Sequence, residues 1–453
     1  MTNEWHQLTA LELGEEIQQG RIDPVDLTHY YLARIKEKDP DHVIYVRLTE
    51  SRALAEAKDA ALRAKAKTRR SLLDGVPISW KDLFDTAGVK TEAGVRLLEG
   101  RIPDHDALCL QRATMAGLVC LGKTNMPDLA FSGLGNNPWT GTGPNPFDTE
   151  HDRVPGGSSA GAALSVYHGL AAAGIGSDTA GSVRIPAAWC GITGHKTTHG
   201  LIPLDGSVPL SPSQDTVGPL TRNIADANAL TAIMANISPA DLKGASLKGV
   251  RILRATTIFD DLVDPEIAHM IDEALAKLQA AGATIIEGPV LAFKDVLDCC
   301  NENGYPGMLE GHALWGEAIS KNPTGIFPAI GNRFLAAENF SADNALKLEF
   351  TLRRLRRDYL TQTAGFDLVA GATLPAIPPR LDELYADESY YLEQTLMSIS
   401  LTRLGSLLGL CATTLPAGMA KGFPAGLMLM APGGADAKLL RLSKAAEMAL
   451  ASG

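Results

Sequence analysis

The chain alternates between segments with helical periodicity and short apolar segments that are typical of strands. Thr9 and Glu12 have the spacing of a helix capping box, and Asp23–Pro24 is a typical start of a second helix. Residues 50–66 are alanine-rich and predict a third helix. We expect these three helices to form an N-terminal layer, residues 1–70, that packs outside the rest of the fold.

The same alternation continues to the end of the chain and favours an α/β protein. We predict a three-layer α/β/α sandwich with a mixed, largely parallel central sheet. Residues 160–176 are rich in alanine and glycine and predict a tightly packed internal helix. The predicted strands lie near 76–79, 118–121, 249–254, 366–370, 411–415 and 425–430, and further helices near 106–116, 265–281, 396–409 and 436–451.

Residues 295–350 interrupt this rhythm, because they mix aromatic residues, glycines and prolines with helical pieces. Two interpretations are open for Tyr305, Trp315, Phe327 and Phe334. They line an apolar funnel, or they pack the core of a small helical subdomain.

Composition and net charge indicate a large buried core and argue against nucleic acid as a partner. The chain has 453 residues, of which 45% are hydrophobic, so it can bury a large core. Its net charge of −11 argues against nucleic acid, because phosphate binding relies on clustered Lys and Arg. No span reaches membrane length and residues 1–16 do not resemble a signal peptide. We expect a cytoplasmic monomer or homodimer.

The cysteines and histidines predict neither disulfides nor a metal. Most of the cysteines lie in apolar surroundings without the spacing of a disulfide framework, which suits a reducing compartment. No set of His, Cys and carboxylate residues has metal-ligand spacing, so we expect no metal and no cofactor. The six cysteines are residues 109, 120, 190, 299, 300 and 411.

The strongest chemical signal lies in residues 155–184, where two glycine-rich loops carry serines. Ser158 and Ser159 lie in the first loop and Ser182 lies in the second. Glycine lets backbone N–H groups turn toward one point, which suits a serine nucleophile beside an oxyanion hole. The segment's only histidine, His168, lies among small apolar residues, so the proton acceptor is expected elsewhere.

The candidate base is Lys81, which ends the short apolar stretch 76–80. Burying an ammonium group is costly unless the group is paired or loses its proton. A lone lysine at a strand end usually reaches the surface. Its combination with the serine loops favours a buried base instead.

Several segments together resemble the amidase signature family of serine amidohydrolases, over most of the chain. The lysine segment is GVPISWKD (75–82), and the serine segments are PGGSSAG (155–161) and residues 176–203. Further matching segments are residues 122–133, 145–148, 213–227, 366–379 and 422–432. The resemblance implies the family's α/β/α fold, with residues 71–453 as the catalytic domain and 295–350 as a variable substrate entrance.

The resemblance also implies a Ser–Ser–Lys triad. Ser182 would be the nucleophile, Ser158 the bridging serine on a cis peptide bond, and Lys81 the base. The base must start unprotonated, so we predict activity that rises toward alkaline pH. The oxyanion hole would be formed by backbone N–H groups around Thr179, Ala180, Gly181 and Ser182.

Two positions depart from the family's pattern, because Ala160 and Ala180 each replace a glycine. Alanine is compatible with the chemistry where φ is negative.

Other residues would support the site. Asp178 and Arg184 would pair structurally, although in some family members a matching arginine meets a substrate carboxylate. Asp215 and Arg222 would belong to the same polar network. Trp139 lies in a loop that the family places near the site.

Ser159 allows a different interpretation, since residues 157–161 also match the nucleophile elbow of α/β-hydrolases. That motif needs a preceding strand, whereas residues 152–157 are polar and turn-like. The acid and histidine that it needs downstream have only unplaced candidates. Ser159 is better explained as a helix N-cap or as a support for the oxyanion-hole loop.

These observations predict an enzyme that cleaves C–N bonds of small, apolar or aromatic amides through an acyl-enzyme. Carbamates (a urethanase activity), anilides and esters share the carbonyl geometry and stay open. The main alternative within the family is the glutaminase subunit of a tRNA-dependent amidotransferase, which requires partner subunits. A non-catalytic binding protein is expected to lose Lys81, Ser158 or Ser182, and all three are present.

Overall fold

The computed structural model describes residues 4–452 and is built on one eleven-stranded sheet. The strands are β1 (Tyr45–Leu48), β2 (Pro77–Lys81), β3 (Val119–Thr124), β4 (Gly174–Ser177), β5 (Thr193–Lys196), β6 (Val217–Thr221), β7 (Arg251–Ala255), β8 (Thr284–Gly288), β9 (Leu368–Ala372), β10 (Cys411–Ala420) and β11 (Phe423–Ala431).

Helices precede, connect and follow these strands. The α-helices are α1 (Ala10–Gln18), α2 (Pro24–Lys38), α3 (Glu50–Ala66), α4 (Leu108–Met115), α5 (Ala160–Tyr167), α6 (Arg184–Trp189), α7 (Ile224–Ala235), α8 (Phe259–Leu262), α9 (Pro265–Ala280), α10 (Leu291–Asn303), α11 (Pro306–Lys321), α12 (Pro328–Leu335), α13 (Ala342–Gln362), α14 (Leu381–Ala386), α15 (Glu388–Ser398), α16 (Thr402–Leu407) and α17 (Asp436–Ala451). Short 3₁₀ helices span Trp5–Gln7, Arg96–Leu98, Asp128–Ala130, Pro323–Gly325 and Ala336–Asn339.

The strand order is β1-β3-β2-β4-β6-β5-β10-β11-β9-β7-β8. The predicted α/β class with a mixed sheet is confirmed. Parallel pairing occurs in two places: β2 lies between β3 and β4, and β7 lies between β8 and β9. The six remaining neighbour pairs are antiparallel, so the parallel share is smaller than we expected. Strands β5 and β6, which we did not predict, add three of these antiparallel pairs in the middle of the sheet.

Strand β2 carries Lys81 into the centre of the molecule. All five of its residues are buried, and its C-terminal end lies beside the end of β3, where Lys81 is opposite Thr124. On the other side, Ser79 is opposite Gly174 of β4. Since neighbouring parallel strands end at the same edge of the sheet, the residues that end β2 and β4 lie close together.

The predicted single helix over 160–176 is wrong. Helix α5 ends at Tyr167, and β4 begins only seven residues later. Gly169 has φ +64°, and the amides of Gly169 and Leu170 donate to the carbonyl oxygens of Val166 and Ser165, which closes the helix. Small residues suit this tight helix-to-strand connection as well as they suit a packed helix, so composition alone did not separate the two.

The N-terminal helices start as predicted. Thr9 and Glu12 form a capping box on α1, and Asp23 caps α2, whose first residue is Pro24. Strand β1 between α2 and α3 was not predicted, because four residues between two helices give too short an alternating pattern. It pairs antiparallel with β3. The boundary at residue 70 stays a prediction.

Two other predictions differ in their bounds. The predicted helix 396–409 is divided between the end of α15 and α16, and the predicted strand 411–415 continues to Ala420. Within residues 4–452, no helix is both long enough and apolar enough to cross a membrane.

Asp226, in the first turn of α7, connects the N-terminal layer to the sheet. Its carboxylate is buried and accepts the amides of Ala10 (2.8 Å) and Leu11 (3.0 Å) at the start of α1. A carboxylate at this position satisfies two of the amides that a helix N-terminus leaves unpaired, and it complements the helix dipole.

We predict that Asp226→Ala loosens α1 from the fold. Losing the acceptor should lower the free energy of unfolding by about 1–3 kcal/mol. Asp226→Asn keeps one acceptor oxygen and should lose less. Urea denaturation and the rate of proteolytic cleavage near residue 9 measure the effect, and equal stability of all three proteins would contradict this role.

Candidate active site

Lys81 is completely buried and its ammonium nitrogen contacts two serines. The Nζ atom donates to Ser158 Oγ at 2.6 Å and to Ser177 Oγ at 2.9 Å. Ser177 ends β4, the parallel neighbour of β2, which explains why its side chain reaches the lysine. Among the salt bridges formed by residues 4–452, none includes Lys81.

Burial without a carboxylate contact changes the protonation of this lysine. Removal from water lowers the pKa of Lys81 to about 7, and the more distant charges of Asp215 and Asp178 oppose this shift only in part. A large neutral fraction is therefore present near neutral pH. A neutral amine has a lone pair, so the same 2.6 Å contact allows the Ser158 hydroxyl to donate to Nζ.

The first serine loop is held against its surroundings at short distances. The peptide bond between Gly157 and Ser158 is cis. Gly156 has φ +88°, and a Cβ on Gly157 would lie 2.6 Å from the Cα of Gly135. Glycines are required at both positions for this approach.

Ser159 links the two serine loops. Its amide donates to the carbonyl oxygen of Ser182 at 3.1 Å, and its hydroxyl donates to the carbonyl oxygen of Ser177 at 3.2 Å. Ser159 occupies the predicted N-cap position of α5, but its side chain makes no capping hydrogen bond and contacts the backbone of Ser177 instead. Ser159 is fully buried and no strand ends before it, which argues against a nucleophile elbow.

The second serine loop is fixed by a buried ion pair. Asp178 accepts Nε and Nη2 of Arg184, both at 2.9 Å, and the amides of Gly181 and Val183. Burial would raise the pKa of Asp178, but the charge and hydrogen bonds of Arg184 hold that pKa below its ordinary value. Arg184 also donates to the carbonyl oxygen of Thr402.

Asp215 supports the same loop from the other side. Its buried carboxylate accepts the Thr179 hydroxyl and the amides of Leu210 and Ser211. Arg222, which we expected in this network, instead donates to the carbonyl oxygens of Leu8 and Val166.

The loop leaves three of the four predicted oxyanion donors free. The Gly181 amide donates to Asp178 at 2.7 Å, so this part of the predicted set is corrected. The amides of Thr179, Ala180 and Ser182 have no acceptor among the described residues. Gly181 has φ +140°. Ala160 and Ala180 do not have positive φ, so alanine is compatible with the backbone at both positions.

Ser182 lies at the wall of a cavity of about 510 Å³ and is 6% exposed. No hydrogen bond joins its hydroxyl to that of Ser158 among the contacts of residues 4–452. The apolar part of the wall comes from residues that the sequence did not single out, namely Ala130, Phe131, Leu210, Met308, Ala329, Ala336, Leu392, Leu396, Ile399 and Leu407.

Not every predicted site residue reaches this cavity. Arg184 is completely buried behind the loop and does not line the cavity. Trp139 does not line it either, because its indole nitrogen donates to Asp128 and its ring stacks under Arg96. Both therefore act away from the cavity wall.

The four aromatic residues of the 295–350 segment divide between the two interpretations. Tyr305 lines the cavity. Trp315 donates to the carbonyl oxygen of Pro209, and Phe334 packs against Phe131 with ring centroids 4.4 Å apart. Phe327 packs edge-on against Tyr391. Tyr305 therefore lines the cavity, and the other three aromatic residues pack against the elements around it.

The chain matches known proteins along nearly its whole length. The family model described as Amidase matches residues 26–440. The glutamyl-tRNA(Gln) amidotransferase subunit of Moorella thermoacetica is 32% identical, covering 98% of this chain and 97% of the relative. A crystal structure of an amidase has a TM-score of 0.87 at 29% identity, covering 97% of this chain and 99% of that chain. The structure of 6-aminohexanoate cyclic dimer hydrolase has a TM-score of 0.84 at 25% identity, covering 99% and 98%.

We predict that Arg184→Met destabilises the protein strongly. The substitution leaves Asp178 buried without its counter-charge, which should cost about 3–5 kcal/mol. Arg354→Met is the matched control, since it breaks an exposed pair with Asp358 and should cost less than about 1 kcal/mol. Chemical denaturation of both variants measures the difference, and similar midpoints would contradict a structural role for the buried pair.

Proposed function

Because the chain belongs to the amidase family, we propose that it is a serine amidohydrolase that works through an acyl-enzyme on Ser182. The observation that carries this proposal is the 2.6 Å contact between Ser158 and a fully buried Lys81 whose pKa lies near 7. An enzyme base works best when its pKa is close to the working pH, and an unpaired surface lysine would be protonated there.

In the proposed first step, Ser182 Oγ attacks the substrate carbonyl carbon. The Ser182 proton passes to Ser158 Oγ, while the Ser158 proton passes to the Nζ atom of neutral Lys81. The oxygen of the tetrahedral intermediate is negative and accepts hydrogen bonds from the free amides of Thr179, Ala180 and Ser182. Lys81 then returns a proton through Ser158 to the departing nitrogen, and the C–N bond breaks.

Water completes the reaction in the proposed second step. It attacks the acyl carbon of the ester on Ser182 and gives a proton to Ser158, which passes its own to Lys81. Collapse of the second intermediate releases the carboxylic acid and returns the proton to Ser182 Oγ. Each proton transfer of this kind contributes typically about 10²–10⁴-fold to the rate.

The proposed substrates are small linear amides with an apolar or aromatic part. The apolar wall of the cavity and its volume of about 510 Å³ support this class. Carbamates, anilides and esters present the same carbonyl to Ser182, so the proposal includes them as further substrates. A screen that compares kcat/KM across these four classes ranks them.

A second candidate is a glutaminase subunit that acts with partner proteins. It is favoured by the whole-length likeness to the amidotransferase subunit of Moorella thermoacetica. Glutamine hydrolysis that appears only when the other amidotransferase subunits are added would support it. Hydrolysis of simple amides by the isolated chain, as a monomer or homodimer, supports the first proposal. A cytoplasmic location is part of that proposal and rests on six free, buried cysteines.

We predict that Ser182→Ala lowers kcat/KM by at least about 10⁴-fold, as removal of a serine nucleophile does in other enzymes. Intact-mass measurement after mixing with a slowly hydrolysed carbamate should show an acyl adduct on the unmodified enzyme and none on this variant. Ser246→Ala, at an exposed position that does not line the cavity, should behave like the unmodified enzyme. Full activity of Ser182→Ala would remove the assignment.

We also predict that kcat/KM rises with pH along a single titration centred near pH 7. Burial lowers the pKa of Lys81 to about 7, and only the neutral amine accepts the Ser158 proton. Activity is therefore low below pH 6 and level above pH 8. Initial rates with a neutral amide between pH 5 and 9 test this, and a profile that stays flat down to pH 5 would contradict a lysine base.

A further inference from the structure

The cavity beside Ser182 contains two arginines but no acidic group paired with either of them. Arg333 of α12 and Arg403 of α16 both line it. Neither forms a salt bridge with any residue between 4 and 452. The acidic residue of the wall, Glu388, is exposed and accepts a hydrogen bond from Asn332 at 2.9 Å.

Arg403 has fewer hydrogen-bond partners than Arg333. Its Nε atom is buried and has no hydrogen-bond acceptor in the described part of the chain. Its guanidinium lies over the ring of Tyr305, with Cζ 5.0 Å from the ring centroid. Tyr305 is itself fixed, since its hydroxyl donates to Asn301 Oδ1 at 2.8 Å. Stacking on an aromatic face orients a guanidinium but uses none of its N–H donors.

Arg333 is better satisfied but adds positive charge. It lies over the ring of Phe131, with Cζ 4.0 Å from the centroid, and donates to the carbonyl oxygen of Phe131. Burial lowers the pKa of Arg333 to about 10, and the nearby charge of Arg403 acts in the same direction. The two cations therefore repel each other across a wall that is otherwise largely apolar.

A buried donor without an acceptor and two unneutralised cations are both unfavourable in the empty cavity. A bound anion removes both penalties. A carboxylate fits best, because its two oxygens match the paired N–H groups at the edge of a guanidinium. Arg184, the arginine that the sequence suggested for such a role, donates to Asp178, Thr402 and Ser406 and lies outside the cavity.

We propose that Arg403 binds a carboxylate of the substrate, so that the preferred substrates are amides carrying a carboxylate at the far end of an apolar chain. The aliphatic chain would lie against the apolar wall, and the carbonyl would reach Ser182. This inference rests on the proposed function and specifies the substrate class of the same site.

The test compares matched amides with and without the carboxylate. Adipamic acid against hexanamide places the charge on the acyl side, and N-acetyl-5-aminopentanoate against N-pentylacetamide places it on the amine side. For one pair or both, kcat/KM should be about 10- to 100-fold higher for the acid, as expected for a hydrogen-bonded charge pair. Equal values within both pairs would overturn the proposal.

Substitutions assign the effect to Arg403. Arg403→Met should lower kcat/KM for the preferred acid by about 10- to 100-fold and change that of its neutral partner by less than about threefold. Arg403→Lys, which keeps the charge without the planar pair of donors, should lie between them. Arg353→Met, on the exposed face of α13, is the control and should match the unmodified enzyme. Equal losses on the acid and the neutral amide would overturn the proposal.

A binding measurement separates this inference from the proposed function. Calorimetric titration of Ser182→Ala with adipate should show binding that the added Arg403→Met substitution weakens about tenfold or more. If no amide is hydrolysed by the unmodified enzyme, the proposed function fails while this result still decides the carboxylate site. Adipate binding that is absent from Ser182→Ala, or unchanged by Arg403→Met, would overturn it.

Discussion

The site depends on the burial of one amine, that of Lys81, without a carboxylate in contact. Lowering a lysine pKa from 10.5 to about 7 corresponds to roughly 5 kcal/mol less preference for the ammonium form. Since the unfolded chain binds the proton more tightly, this group costs stability increasingly as the pH falls from about 10.5, and the cost levels off below about 7. The fold tolerates that cost because β2 is buried along its whole length and ends beside β4, where serine hydroxyls replace water around the amine.

A buried ion pair between Asp178 and Arg184 lies directly behind the second serine loop. Asp178 accepts hydrogen bonds from two amides and from the Arg184 guanidinium. The chain between Asp178 and Arg184 therefore cannot move without exposing a buried charge. A Cβ on Gly181 would overlap Thr402 Oγ1, which shows how closely α16 approaches the loop. The ion pair therefore fixes the direction of the free amides, and the contact of Lys81 with Ser158 stays separate from it.

Sequence could predict the starts of α1 and α2 because helix caps are local. It led to the contact between Lys81 and Ser158, which spans 77 positions of the chain, only through the family resemblance of the two motifs. It could not predict the contact of Lys81 with Ser177, which depends on the pairing of β2 with β4 across 96 positions of the chain. The residues that line the cavity could not be predicted from the sequence either. Tyr305 and Phe334 both lie in the aromatic-rich segment 295–350, yet Tyr305 lines the cavity and Phe334 packs in the core against Phe131, a difference that depends on contacts between distant parts of the chain.

Likeness to relatives defines the fold of this chain more closely than it defines the substrate. About 30% identity over the whole chain accompanies a shared fold. The proposed relay would serve an amidase or a glutaminase equally well. In the proposed function the substrate is instead selected by the wall, much of which comes from α11, α12, α15 and α16, outside the serine and lysine motifs. In such a wall a charge without a counter-charge is costly, so it is informative. Arg403, stacked on Tyr305 with a buried donor left unpaired, therefore says more about the substrate than the apolar residues around it.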